Sequence, residues 1–132
     1  MTYEVVWYIL DDEHRPVAVE SRVAALWMFN GTQENPARRV GLDEFDGVRV
    51  STVFLGIDHR HFGDGPPILF ETMVFGDETI EVFGHEFTES LGETHRYVSW
   101  DDATAGHQVT VRRWKAKVAA AKAAMKNILK SV

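Results

Sequence analysis

No cysteine occurs in the chain, which excludes disulfides, thiolate metal sites and cysteine nucleophiles. No apolar run comes near the roughly 20 residues that span a bilayer, and the opening MTYEVVWYILDDE lacks the basic start of a signal peptide. The expectation is a cytoplasmic protein. No phosphate-binding glycine loop, G-x-S-x-G or H-E-x-x-H motif is present. Acidic side chains stop altogether at Asp102. Up to that point 20 carboxylates stand against seven arginines, a charge of −13; beyond it seven basic residues and no acidic one give +7. An acidic body with a basic C-terminal segment is the main electrostatic feature of the sequence.

What is present belongs to a folded chain. With 132 residues, 45% apolar and 11% aromatic, it fits one domain with a real core. The stretch Val48–Phe75 organises the rest. Val48 to Ile57 carries β-branched and aromatic residues on both faces, the pattern of a central strand covered on both sides. Ile68 to Phe75 reads the same way except for Glu71, which must reach solvent, gain a proton or find a partner such as Arg49 or a loop histidine. Between the runs, Gly63 and Gly65 permit positive φ and Pro66-Pro67 fixes an extended exit.

Other elements follow from turn and periodicity signals. Tyr3–Leu10 is a predicted strand, with Val17–Val19 pairing back on it. Ser21 is positioned to cap a short helix through Phe29, its apolar side being Val23, Leu26, Trp27 and Phe29; Asn30-Gly31 ends it. Asp46-Gly47 predicts a hairpin joining Arg39–Phe45 to the central strand. Gly76-Asp77 predicts a further turn, Thr79–Phe83 a short strand, 84–94 a turn-rich segment and Arg96–Trp100 a last strand. From about 101 to 130 a long helix is expected, opened by a Ser99/Asp102 capping pair and striped by His107, Val111, Trp114, Val118, Ala121, Met125 and Ile128. It exceeds what a domain this size can cover, so its distal part should project or meet another chain.

The segments STVFLGIDHRHFGDGPPILFETMVFG and YVSWDDATAGH carry a pattern of their own. It reads T-x-F-L-G-x-D-H, then G-P-P-x-L-F-E-T-M, then W-x-x-A-x-x-G-H, matched by Thr52, Phe54, Leu55, Gly56, Asp58, His59, Gly65, Pro66, Pro67, Leu69 to Met73, Trp100, Ala103, Gly106 and His107. In this the chain resembles a family of small uncharacterised phage and prophage proteins. The resemblance spans about the C-terminal two-thirds, implies a phage origin and brings no activity with it.

Candidate site residues cluster in the Asp58–Asp64 loop. Asp58, His59, His61, Asp64 and the nearby Glu71 form a candidate ligand- or partner-binding set. His59 and His61 could share a metal if the loop curls, though His61 lies outside the family pattern; the plainer reading is a shaped loop held by Asp58. His107 falls on the apolar stripe of the long helix, as a core histidine or as a general acid/base set against His59 or Glu71. The basic residues from Arg112 to Lys130 have one neighbouring aromatic, Trp114, and read as a solvated face, so nucleic-acid binding is not expected.

The sequence therefore predicts an α+β fold. It comprises a mainly antiparallel sheet of about five strands, a short N-terminal helix, and a long C-terminal helix on one face. The functional expectation is a phage accessory protein that acts by binding in the host cytoplasm. It would inhibit a host factor or sequester a ligand, need no cofactor, and oligomerise through its C-terminal helix. Alternatives are a metal- or histidine-dependent phosphoesterase using His59, Glu71 and His107, and a virion assembly component.

Overall fold

The computed structural model describes residues 5–60, 63–82 and 85–131, leaving aside the side chains of 77–82 and 85–90. The fold is α+β, with antiparallel sheets, one short N-terminal helix and one long C-terminal helix. Strand β1 (Trp7–Leu10) pairs with β2 (Pro16–Val19) across a turn in which the Asp11 carboxylate accepts from the Glu13 and Arg15 amides. Helix α1 (Ser21–Met28) follows, then the two-residue strands β3 (Phe29–Asn30) and β4 (Gln33–Glu34) around Gly31. A 3-10 turn at Pro36–Arg38 leads into β5 (Arg39–Phe45) and β6 (Val48–Phe54). Strands β7 (Phe70–Val82) and β8 (His85–Tyr97) complete a sheet of four in the order β5-β6-β7-β8, and α2 (Trp100–Lys130) closes the chain. In place of one sheet of about five strands there are four strands plus two small two-stranded sheets.

The hairpin expected at Asp46-Gly47 is present: φ is 48° and 77° at the two residues, the paired positive values that a two-residue turn matching strand twist requires. The turn expected at Gly76-Asp77 is absent. β7 runs straight through it, and the segment 84–94, expected to be turn-rich, belongs mostly to β8. Pairing with β8 outweighs the local turn chemistry. The ladder absorbs the misfit by a register shift in which β8 advances from Thr94 to Ser90 while β7 advances only from Met73 to Phe75; Gly92, at φ 77°, lies in that bulge.

Helix α1 presents a different face from the one expected. Its N-cap is Glu20, without a side-chain cap bond, and Ser21 is already helical. Ala24 and Met28 are buried, whereas Val23, Leu26 and Phe29 are exposed. The reason is Gly56: a Cβ there would lie 1.9 Å from Met28 Cε, so the Met28 methyl occupies the space a side chain would take. Gly56 has φ 80°, a conformation that also favours glycine.

Strand alternation sets up the two faces of the main sheet. On β6, Val48, Val50, Thr52 and Phe54 are buried while Arg49, Ser51 and Val53 are half-buried. The inner face packs on α2 in two clusters. One joins Leu10, Met28, Phe54, Leu69, Phe70 and Ala103, with Trp27, Tyr97 and Trp100 against it; the other joins Val48, Val50, Val74 and Val111, with Trp114 and Val118. No described element packs on the outer face, so the central strand is covered on one side rather than two.

Helix α2 begins as expected. Ser99 is its N-cap, with its hydroxyl accepting from the Asp102 amide at 3.1 Å, and Asp101 and Asp102 sit in the first turn where the dipole favours them. Its stripe is buried or half-buried as far as Val118. Beyond that, residues 119–130 are exposed on every side, a projecting length of roughly 18 Å at 1.5 Å per residue. No helix among the described residues is long and apolar enough to cross a membrane.

Candidate functional site

The most connected polar cluster lies between α2 and the inner face of the sheet. Register places Gly41, Thr52 and Thr72 side by side across β5, β6 and β7, one row from Asp43. His107 comes down onto this row from the helix. Its Nε2 lies 2.7 Å from Asp43 Oδ1 and its Nδ1 2.7 Å from Thr52 Oγ1, which lies 2.6 Å from Thr72 Oγ1. A carboxylate can only accept, so Nε2–H donates to Asp43; in the neutral ring Nδ1 accepts from Thr52, and Thr52 accepts from Thr72. Both ring nitrogens of this core histidine are therefore satisfied.

Carboxylate, imidazole and hydroxyl in a row resemble a nucleophilic triad. Burial decides against that use here. Thr52 and Thr72 are wholly buried, so no substrate carbonyl or phosphorus can approach either hydroxyl. The open end of the chain is Asp43, beside a shallow recess of about 200 Å³ lined by Asp43, His107, Gln108, Val111 and Arg112. As it stands the cluster is a clamp: it pins the N-terminal third of α2 to three strands at once. Gly41 makes room for it, since a Cβ there would come within 2.7 Å of the imidazole.

The other sequence-predicted residues stand apart from this cluster. Glu71 points to the outer face and pairs with Arg96 at 3.0 Å, not with Arg49 or a histidine. Arg49 lies over the Phe75 ring instead. His59 sits in the loop, its amide donating to Ile68 O at 2.9 Å and its Nδ1 lying 2.8 Å from Ile57 O. His107, Glu71 and His59 are therefore not brought together; sheet alternation alone separates Glu71 from Thr72 and its histidine. Asp64 is exposed, and His61 lies outside the described residues. Among the described residues, no three His, Asp or Glu side chains converge as a metal would require.

Asp58 holds the loop in shape. Its Oδ1 accepts from the Arg60 and Ile68 amides, both at 2.8 Å, tying the start of the loop to its exit; Arg60 folds over Gly65 and donates from Nε to Pro66 O at 3.0 Å. Desolvation raises the Asp58 pKa, but those two amides and the nearby Arg60 charge outweigh it and hold the carboxyl below its ordinary value. A depressed carboxylate stabilises the fold above its unfolded-state value and loses that contribution as pH falls through the folded one. Asp58→Ala should therefore melt about 3–5 °C lower at pH 7, for roughly 1 kcal/mol of lost hydrogen bonding. The gap to wild type should shrink below pH 4 in thermal melts across a pH series. A gap that stays constant down to pH 2.5 would contradict this role.

Glu93 was not singled out in the sequence. It faces inward from β8 and gathers Arg113, His95 and the Trp114 indole N–H. Burial pushes its carboxyl up, and these three donors outweigh that and hold it low. Its position within a bulged, turn-like stretch left no periodic signal by which to find it. The same holds for Asp43, whose role depends on a helix 64 residues away.

No protein-family model, curated protein or solved structure matches this chain.

Proposed function

We propose that the protein is a phage accessory protein that acts by binding in the host cytoplasm, with the projecting C-terminal part of α2 as its docking element. One observation supports this reading above the others. Past Val118 the helix continues its apolar positions with nothing beneath them: Met125 is 58% exposed, Ile128 61% and Leu129 66%. Isolated helices of this length are marginal in water, and an amphipathic helix laid into an apolar groove is a common mode of protein recognition. Lys122, Lys126 and Lys130 flank the stripe and would steer it toward an acidic surface, of a host protein or of a second copy. The hydrolase reading finds less support, because its three residues occupy two faces of the sheet and a loop.

Truncation tests the proposal best after Ala120, since a stop at Arg113 would also remove Trp114 and Val118 from the core. Among the described residues, the one contact with the body that the shortened chain loses is the surface Lys122–Asp46 pair, worth well under 1 kcal/mol. It should melt within about 3 °C of the full chain yet no longer retain the host protein that the full chain captures from lysate. Equal capture by both, or capture by neither, would remove the helix from its docking role.

A further inference from the structure

The outer face of the main sheet is a candidate surface that does not depend on the helix reading. Register lays it out as three rows across the strands. The first is Arg39, Val53, Glu71 and Arg96; the second Leu42, Ser51, Met73 and Thr94; the third Glu44, Arg49 and Phe75. The middle row has no charged residue of its own and crosses all four strands, with Arg39 reaching onto it to donate from Nη1 to Ser51 Oγ at 3.1 Å. Leu42 on it is 46% exposed. A band without charged residues between two charged rows fits the anatomy of an interface, whose centre is depleted of charge and whose rim is polar.

We infer that this face takes a second copy of the same chain, sheet against sheet. Two-fold pairing is the commonest way for identical chains to associate, and the charges on the face select one axis. An axis parallel to the strands would set Arg39 against Arg96 of the second copy, two like charges. An axis along the middle row sets Arg39 against Glu44 of the second copy, and Glu44 against its Arg39. It also brings Glu71 beside Arg49 of the second copy and stacks the uncharged rows on each other. Face-to-face sheets at about 10 Å, with strands nearly aligned, accommodate such pairs. Only the second axis is complementary.

The size of the face sets the strength. Four strands about 4.8 Å apart and six residues long make a patch near 20 by 20 Å, about 400 Å² per copy, at the weak end of specific interfaces. The dimer should therefore be weak and in reversible exchange with the monomer. Because the axis crosses the strands, the two projecting helices would leave at opposite ends, giving a bivalent particle.

Sedimentation equilibrium from about 5 to 500 µM on the full chain tests this. Wild type should show a monomer–dimer equilibrium. Leu42→Lys, Arg39→Glu and Glu44→Arg should each weaken it at least tenfold, and the Arg39→Glu/Glu44→Arg pair should restore it, because the exchange keeps the cross-copy attraction. The chain ended at Ala120 should dimerise as the full chain does, which separates failure here from failure of the docking helix. A wild type that stays monomeric at 500 µM, with the arginines serving only as cover for their own sheet, would overturn the inference. So would a dimer that tolerates all three single substitutions, or one abolished by the truncation.

Discussion

His107→Ala should lower the melting temperature by about 8–15 °C without shifting it toward a new fold. The side chain is 6% exposed and bonded at both nitrogens. Its removal leaves a cavity between α2 and the sheet and takes a partner from Thr52 in a site that water cannot easily reach. Buried truncations of this kind cost about 2–4 kcal/mol. In a chain of this length each kcal/mol is worth roughly 3–5 °C. A double-mutant cycle with Thr52→Val sharpens the test, because Val keeps the shape and deletes the hydroxyl. If the imidazole and hydroxyl act as one clamp, the two losses should fall short of additivity by at least about 0.5 kcal/mol. Additive losses, or a His107→Ala penalty under 1 kcal/mol, would mean that α2 is held by its apolar contacts, Trp100, Ala103, Val111, Trp114 and Val118, without help from the clamp. Far-UV circular dichroism followed by scanning calorimetry would give both numbers.

The same residues show how far the sequence could be read. Elements with a local code were legible: the Asp46-Gly47 hairpin, the Ser99 cap, the β1–β2 return and the long helical stripe each depend on residues close in the chain. The failures are non-local. Gly76-Asp77 carries turn chemistry but lies within a ladder whose partner strand begins nine residues later, at His85. The buried side of α1 was decided by the vacancy over Gly56, some 28 residues downstream of Met28. Among candidate residues, the stapling role weighed for Asp58 follows from its place at a loop entrance, and a carboxylate there is a local signal. The association of His107 with Asp43 is not local, since it depends on which rows of the sheet the helix crosses. Glu71 looked suspect for its apolar neighbours, yet alternation turns it outward to Arg96. Several motif glycines and small residues carry structural duties of this kind: Gly56 seats Met28, Thr52 and Thr72 hold His107, and Ala103 lets α2 approach Phe70.

Gly106 yields the prediction in which two effects oppose each other most plainly. Replacing a mid-helix glycine by alanine ordinarily gains up to about 1 kcal/mol from propensity. Here a Cβ would stand 2.3 Å from the Tyr97 ring, far inside contact distance. Tyr97 is the last residue of β8, paired with Phe70 and packed on the core cluster that holds Ala103 and Trp100. The half-buried ring must therefore be displaced from its packing, or α2 pushed off the sheet, right beside the His107 clamp. Overpacking of a well-filled site costs about 1–3 kcal/mol, so Gly106→Ala should destabilise despite its better propensity, with a melting temperature lower by about 3–8 °C. The opposing effects separate in a Tyr97→Ala background, where the obstruction is gone. There the same Gly106→Ala change should raise stability, and the sign reversal identifies the ring as the cause. If Gly106→Ala stabilises the wild-type chain, the close approach of β8 and α2 at this point is not what holds the helix in register with the sheet.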